Sequence, residues 1–184
     1  MALTPSSMLA LGTRAPDFKL LDTLTDKSYS LQAAKGPKAT VIMFICNHCP
    51  YVKHVMHELV RLAKDYQVKD IAFVAINSND AEAYPEDAPE KMAQLAKQLG
   101  FSFPYLYDKT QSIAKAYQAT CTPDFFIFDK DLLCIYRGQL DGSRPGNKTA
   151  VTGKDIRAAL DNILQGKPVN PQQIPSMGCN IKWK

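Results

Sequence analysis

The run Ala39-Thr-Val-Ile-Met-Phe-Ile45, followed at once by Cys46-Asn-His-Cys-Pro50 and then Tyr51-Val-Lys-His-Val-Met56, decides how this chain is read. The first seven residues form a short, continuous apolar run rich in β-branched and aromatic side chains. That is the pattern of a strand buried on both faces, as in a parallel sheet. From Pro50 to about Gln67 the period changes. Val52, Val55, Met56, Leu59, Ala63 and Tyr66 recur at helical spacing, with Lys53, His57, Arg61 and Lys64 on the other side. Proline is accepted in the first turn of a helix, which is where Pro50 falls. A buried strand therefore runs into an amphipathic helix, and two cysteines occupy the junction.

That position has chemical consequences. A helix start carries unsatisfied N–H groups and about half a positive charge. A thiolate there is stabilised, and its pKa falls from about 8.5 toward 7 or lower. Cys46 is expected to be that thiolate and nucleophile. Cys49, one turn on, is placed to attack a mixed disulfide formed on Cys46, so the pair can cycle between dithiol and disulfide. Asn47 and His48 lie between the sulfurs and are expected to tune them. A protonated His48 favours the reduced form, which predicts a potential less negative than about −270 mV. Zinc is the weaker reading. It usually takes four ligands, and no second Cys-x-x-Cys accompanies the first, although Cys46, His48, Cys49 and Cys121 supply four donors. No metal and no cofactor are expected. His54 and His57 read as part of a solvated helix face.

Outward from the junction, 184 residues predict one domain, 1–184, with an N-terminal arm over 1–16 and a C-terminal tail over 168–184. At 46% hydrophobic and 22% charged the chain suits a folded, water-soluble protein. A formal charge of +4 without a basic run argues against nucleic acid. No segment approaches the ~18 apolar residues of a membrane span, so no membrane partner is expected. The start, Met1 to Leu11, lacks a positive n-region, and the five cysteines do not form an even, regularly spaced set. A cytoplasmic location with thiols reduced at rest is the expectation. A second buried strand is predicted at Ile71–Ile76. Helices are predicted from an Asp87/Glu90 capping box to Gly100, from Asp108/Gln111 through Tyr117, and from Thr152/Asp155 to Gly166. Phe125–Phe128 and Leu132–Tyr136 read as a hairpin, and Phe18–Leu21 with Lys27–Leu31 as a short extended pair. The fold class is α/β: a central mixed β-sheet flanked by helices in three layers, with an N-terminal extension and a C-terminal tail.

A strand–Cys-x-x-Cys-Pro–helix unit followed far downstream by Thr122-Pro123 before a strand resembles the thioredoxin superfamily. The opening Gly12-Thr-Arg-Ala-Pro-Asp-Phe18 resembles its AhpC/TSA, TlpA-like branch. Cys46-Asn-His-Cys-Pro-Tyr-Val-Lys53, Asn77-Ser-Asn-Asp80, Tyr84-Pro-Glu-Asp87, Cys121-Thr-Pro-Asp124, Tyr136-Arg-Gly-Gln139 and Gly178-Cys-Asn-Ile-Lys-Trp183 look like the peroxiredoxin-like 1 family of thioredoxin-fold proteins. The resemblance implies a thioredoxin-like fold and a thiol–disulfide oxidoreductase acting on protein or small-molecule disulfides. It also implies an electron donor such as a reductase or glutathione system. In this fold Thr122-Pro123 is cis, lies against the cysteine pair, and pairs its backbone with an extended substrate segment. Cys121 then lies near the pair as a possible third redox thiol, while Cys179 on the tail reads more simply as surface packing, the alternative being a tail folded over the site with Cys179 as a resolving cysteine. The alternatives are a thiol-dependent peroxidase, with Cys46 attacking a hydroperoxide, and a non-catalytic binding module. Met43 stands where peroxiredoxins carry a hydroxyl to hold the peroxide, and Thr40 where thioredoxins carry a buried carboxylate.

Overall fold

The computed structural model describes residues 3–184, so the first two residues of the expected arm lie outside it. The chain runs through β1 (Leu3–Pro5), β2 (Lys19–Asp22), β3 (Lys27–Ser30), α1 (Leu31–Ala34), β4 (Ala39–Phe44), α2 (Pro50–Gln67) and β5 (Ile71–Asn77). A 3-10 turn (Pro85–Asp87), α3 (Pro89–Leu99), β6 (Tyr105–Tyr107), α4 (Ser112–Ala116), β7 (Cys121–Thr122) and β8 (Asp124–Asp129) follow. β9 (Cys134–Gly138), α5 (Lys154–Leu164) and β10 (Met177–Asn180) complete it.

Seven strands form one sheet in the order β3-β2-β6-β5-β4-β8-β9. β4 is an interior strand, parallel to β5 and antiparallel to β8, so the sheet is mixed as expected. Its six residues are all buried because both faces are covered. Val41 and Met43 point into a core shared with α2, α3 and α5, whereas Ile42 and Phe44 point into a core shared with α1 and α4. Burying side chains of this size contributes about 1.5–3 kcal/mol each. On the second face Tyr117 meets the edges of Phe126 and Phe128 at 6.0 and 5.8 Å between ring centres. Gly100 ends α3 in the left-handed region (φ 66°), and its N–H closes on Ala96 and Lys97 carbonyls.

Several local expectations give way to tertiary contacts. The capping box at Asp87 and Glu90 does not form: Ala88 is the N-cap of α3 and offers no side chain to it, because Asp87 is used elsewhere. Thr152 and Asp155 do not cap α5 either, whose N-cap is Gly153. Asp141 Oδ2 accepts the Thr152 and Gly153 N–H groups at 2.7 Å each instead. The Asp108/Gln111 box does not form as written either, because Gln111 is the N-cap of α4, but Asp108 Oδ2 still accepts Ile113 and Ala114 N–H at 3.1 and 3.0 Å. The arm and tail are not irregular throughout. β10 pairs with β1 on one edge and β7 on the other, forming a separate three-stranded sheet. These short strands exist by pairing with residues more than 50 positions away, which local periodicity does not encode.

Candidate active site

β4 delivers the cysteines. Ile45 N–H still bonds to Ile76 O at 3.0 Å, and the chain then leaves the sheet. Cys49 is the N-cap of α2, with its carbonyl accepting Val52 and Lys53 N–H at 3.1 and 3.0 Å, and Pro50 opens the helix as the sequence predicts. Both cysteines are free thiols, and neither residue has surface open to solvent. Across from them the Thr122–Pro123 bond is cis. Cys46 Sγ is 3.3 Å from Thr122 Oγ1, and Cys49 Sγ is 3.3 Å from Thr122 O. One residue of the loop thus touches both sulfurs.

The ionisations of the two thiols are linked, and their surroundings push them in opposite directions. Burial pushes the Cys46 thiol well up, the bond to Cys49 and the negative Asp87 add to it, and the Thr122 hydroxyl opposes. Cys49 is lowered to about 5 by the hydrogen bond from Cys46, against burial, with help from the Cys179 thiol and from Val52 and Cys179 N–H. The Thr122 carbonyl beside Cys49 favours a protonated thiol, but four donors outnumber it. The Cys46 thiolate expected from the sequence thus meets an opposing environment in the dithiol protein, where burial and Asp87 push that thiol up. The helix start stabilises the sulfur that caps it, Cys49, while Cys46 is sealed beside a carboxylate.

Asn47 and His48 act on Asp87 rather than directly on the sulfurs. Asp87 Oδ1 accepts Asn47 N–H at 2.7 Å, and Oδ2 accepts His48 Nδ1–H at 2.5 Å and Asn79 Nδ2 at 2.8 Å. Burial works against the ionised form, yet the bonds from His48, Asn79 and Asn47 outweigh it and hold Asp87 below the usual carboxylate range. Because an ionised carboxylate only accepts, His48 Nδ1 is the donor, and the buried Nε2 has no partner. The His48 ring stacks on Tyr84 at 4.9 Å. The Asn47 side chain is itself clamped, giving Nδ2 to Glu86 O at 2.9 Å and accepting Tyr105 OH at 3.1 Å. Cys46, His48 and Asp87 bring ligand-type atoms within 4.8 Å of one another. A cation there would have to displace hydrogen bonds already made to Asp87.

Cys121 is buried, with its sulfur 3.8 Å from Pro123 O and its thiol pushed up by burial. Among the described residues, no hydrogen bond joins it to Cys46 or Cys49. Cys179 makes that contact instead, so the tail packs inward and not on the surface. Cys134 is a core residue of β9, as expected. His54 is not simply solvated: Nε2 meets Ser143 Oγ at 2.7 Å. Met43 is fully buried and offers no hydroxyl to the site. In the sequence Asn79 and Tyr84 appear only as parts of the motifs Asn77–Asp80 and Tyr84–Asp87, without a role, and Asp87 appears as a helix cap.

Residues 11–136 match the AhpC/TSA family. A curated relative, "Thiol-disulfide oxidoreductase ResA" of Geobacillus thermodenitrificans, is 26% identical over 160 residues, covering 87% of this chain and 82% of that one. Among solved structures, an uncharacterized conserved protein from Geobacillus kaustophilus is 61% identical with a TM-score of 0.99, covering 100% of this chain and 97% of that one. A hypothetical protein from Sinorhizobium meliloti 1021 is 48% identical with a TM-score of 0.96, covering 98% of each. A putative thioredoxin from Neisseria meningitidis, 24% identical over 82% of this chain and 89% of its own, shares the fold at a TM-score of 0.63.

Proposed function

Because the chain belongs to the AhpC/TSA family, we propose that it is a thiol–disulfide oxidoreductase whose redox pair is Cys46 and Cys49. One observation carries this reading: two free, buried thiols at a helix start both touch Thr122, the residue before the cis proline. Cys46 attacks a substrate disulfide as Cys49 takes its proton. A bond forms between Cys46 and one substrate sulfur, and the other substrate sulfur leaves as a thiolate. That thiolate accepts the proton from Cys49. Cys49 then attacks Cys46, closes the protein disulfide and expels the second substrate thiolate. The reverse sequence oxidises a dithiol.

Thr122-Pro123 positions the substrate sulfur, and Asp87, through Asn47 and His48, holds the loop between the cysteines. A thiol reductase or the glutathione system returns the electrons, in a reducing compartment such as the cytoplasm. Since both sulfurs are sealed, the cover must open before substrate enters. The test is a titration against a reduced/oxidised glutathione series, read by alkylation of Cys46 and Cys49. The two thiols are expected to disappear together in a two-electron step, and Cys49→Ser to trap a mixed disulfide on Cys46. Rapid hydroperoxide consumption that survives Cys49→Ser, or thiols that persist across the series, overturns the reading.

A further inference from the structure

We propose that Cys179 is a third redox thiol of this site, which takes Cys49 from Cys46 once the first disulfide has formed. The inference rests on the redox pair proposed above. β10 lies antiparallel to β7 with Cys179 opposite Thr122, the residue whose carbonyl oxygen is 3.3 Å from Cys49 Sγ. Cys46, Cys49 and Cys179 lie in one buried cluster, and the Cys179 thiol and backbone N–H both lower Cys49. Cys49 is therefore the middle of three sulfurs, with Cys46 on one side and Cys179 on the other.

The placement is built into the chain. A Cβ on Gly178 would lie 2.0 Å from Thr122 O, so a residue without a side chain is needed for the strand to come this close. β1 pairs with the far edge of β10, placing Leu3 opposite Cys179. Just past it, Lys182 N–H bonds to Asn79 Oδ1 at 2.8 Å, and the same amide gives its Nδ2 to Asp87. Cys121, the extra thiol the sequence singles out, sits opposite Asn180 and turns its sulfur to Pro123 O. Cys179 is 4% exposed, so its reaction partner is the neighbouring sulfur rather than a solute.

Forming the first disulfide removes part of what holds Cys179 protonated. In the dithiol protein burial pushes Cys179 up to about 12, the hydrogen bond and charge of Cys49 add to it, and Lys182 and Tyr51 N–H oppose. A Cys49 held in a disulfide has no charge, so those additions vanish while the opposing groups stay. Cys179 loses its proton to water and attacks Cys49 Sγ. The Cys49–Cys179 bond forms, the Cys46–Cys49 bond breaks, and the electron pair leaves on Cys46, which is protonated. No electrons are exchanged with the surroundings. The oxidising equivalent came from the substrate disulfide, and Cys46 is again a thiol.

The test oxidises the full chain with oxidised glutathione, quenches in acid, alkylates and digests with trypsin without reduction. Cys46 and Cys49 share the peptide 39–53, and Cys179 lies in 158–182. The wild type and Cys46→Ser are expected to give the two peptides joined by a disulfide, with Cys46 alkylated in the wild type. Cys179→Ala is expected to lose the joined pair and keep the internal disulfide of 39–53. An internal disulfide with no joined pair, in the wild type or Cys46→Ser, overturns the role of Cys179 and leaves the redox pair standing. A joined pair in Cys49→Ser but not in Cys46→Ser overturns the assignment to Cys49. No disulfide of either kind removes both.

Discussion

Two aspartates flank the cysteines, equally buried and opposite in charge state. Asp87, after β5, and Asp124, directly after the cis proline, both have no exposed surface. Asp87 collects a histidine N–H, an amide and a backbone N–H, and is held ionised. Asp124 is pushed up to about 8 by burial, which the Ser6 and Ser176 hydroxyls and Phe125 N–H only partly offset. Burial sets the cost of a charge, while the number and strength of donors decide whether it is borne. The site is therefore lopsided. A fixed negative charge stands by Cys46, and a neutral acid stands by Cys121 below about pH 8.

The sharpest way to break this contrast is Asp87→Ala. It strands Asn47 N–H, His48 Nδ1 and Asn79 Nδ2, and urea unfolding should show a loss of about 3–5 kcal/mol. On the other flank the sign reverses. The folded pKa of Asp124 lies above its ordinary value of 3.8, so the stability associated with its protonated form is complete below that value. It is lost as pH rises toward about 8. Asp124→Asn should flatten this slope, and at about pH 8.5 the variant should be more stable than wild type by on the order of 1–3 kcal/mol. A third measurement addresses the sulfur between the flanks. Ultraviolet thiolate absorbance should fall on acidification with a midpoint of about 5, and Cys46→Ala, which deletes the main donor to Cys49, should raise that midpoint by about one unit or more. The smallest effect is expected from Ser6→Ala, which removes the 3.1 Å bond to Asp124 Oδ2. It should cost about 0.5–1.5 kcal/mol and move the Asp124 ionisation higher still.

The flank nearest the motif was partly legible and the other was not. The run 39–45 and the period change at Pro50 predict β4, α2 and the meeting of Cys46 with Cys49, because each depends on neighbours in sequence. Thr122-Pro123 came from a resemblance, which placed it correctly. Asp87 was misread because an acidic residue three positions before Glu90 has the local look of a helix cap. Only the folded chain brings it, across 40 positions, to the Asn47 N–H. Cys179 was misread for a related reason. Its strand has no periodic signal and exists through pairing with residues 3–5 and 121–122.

β10 fills the backbone edge beside the cis proline, where thioredoxin-like proteins seat an extended polypeptide. Residues 177–180 thus supply, from the chain itself, the strand that completes this edge.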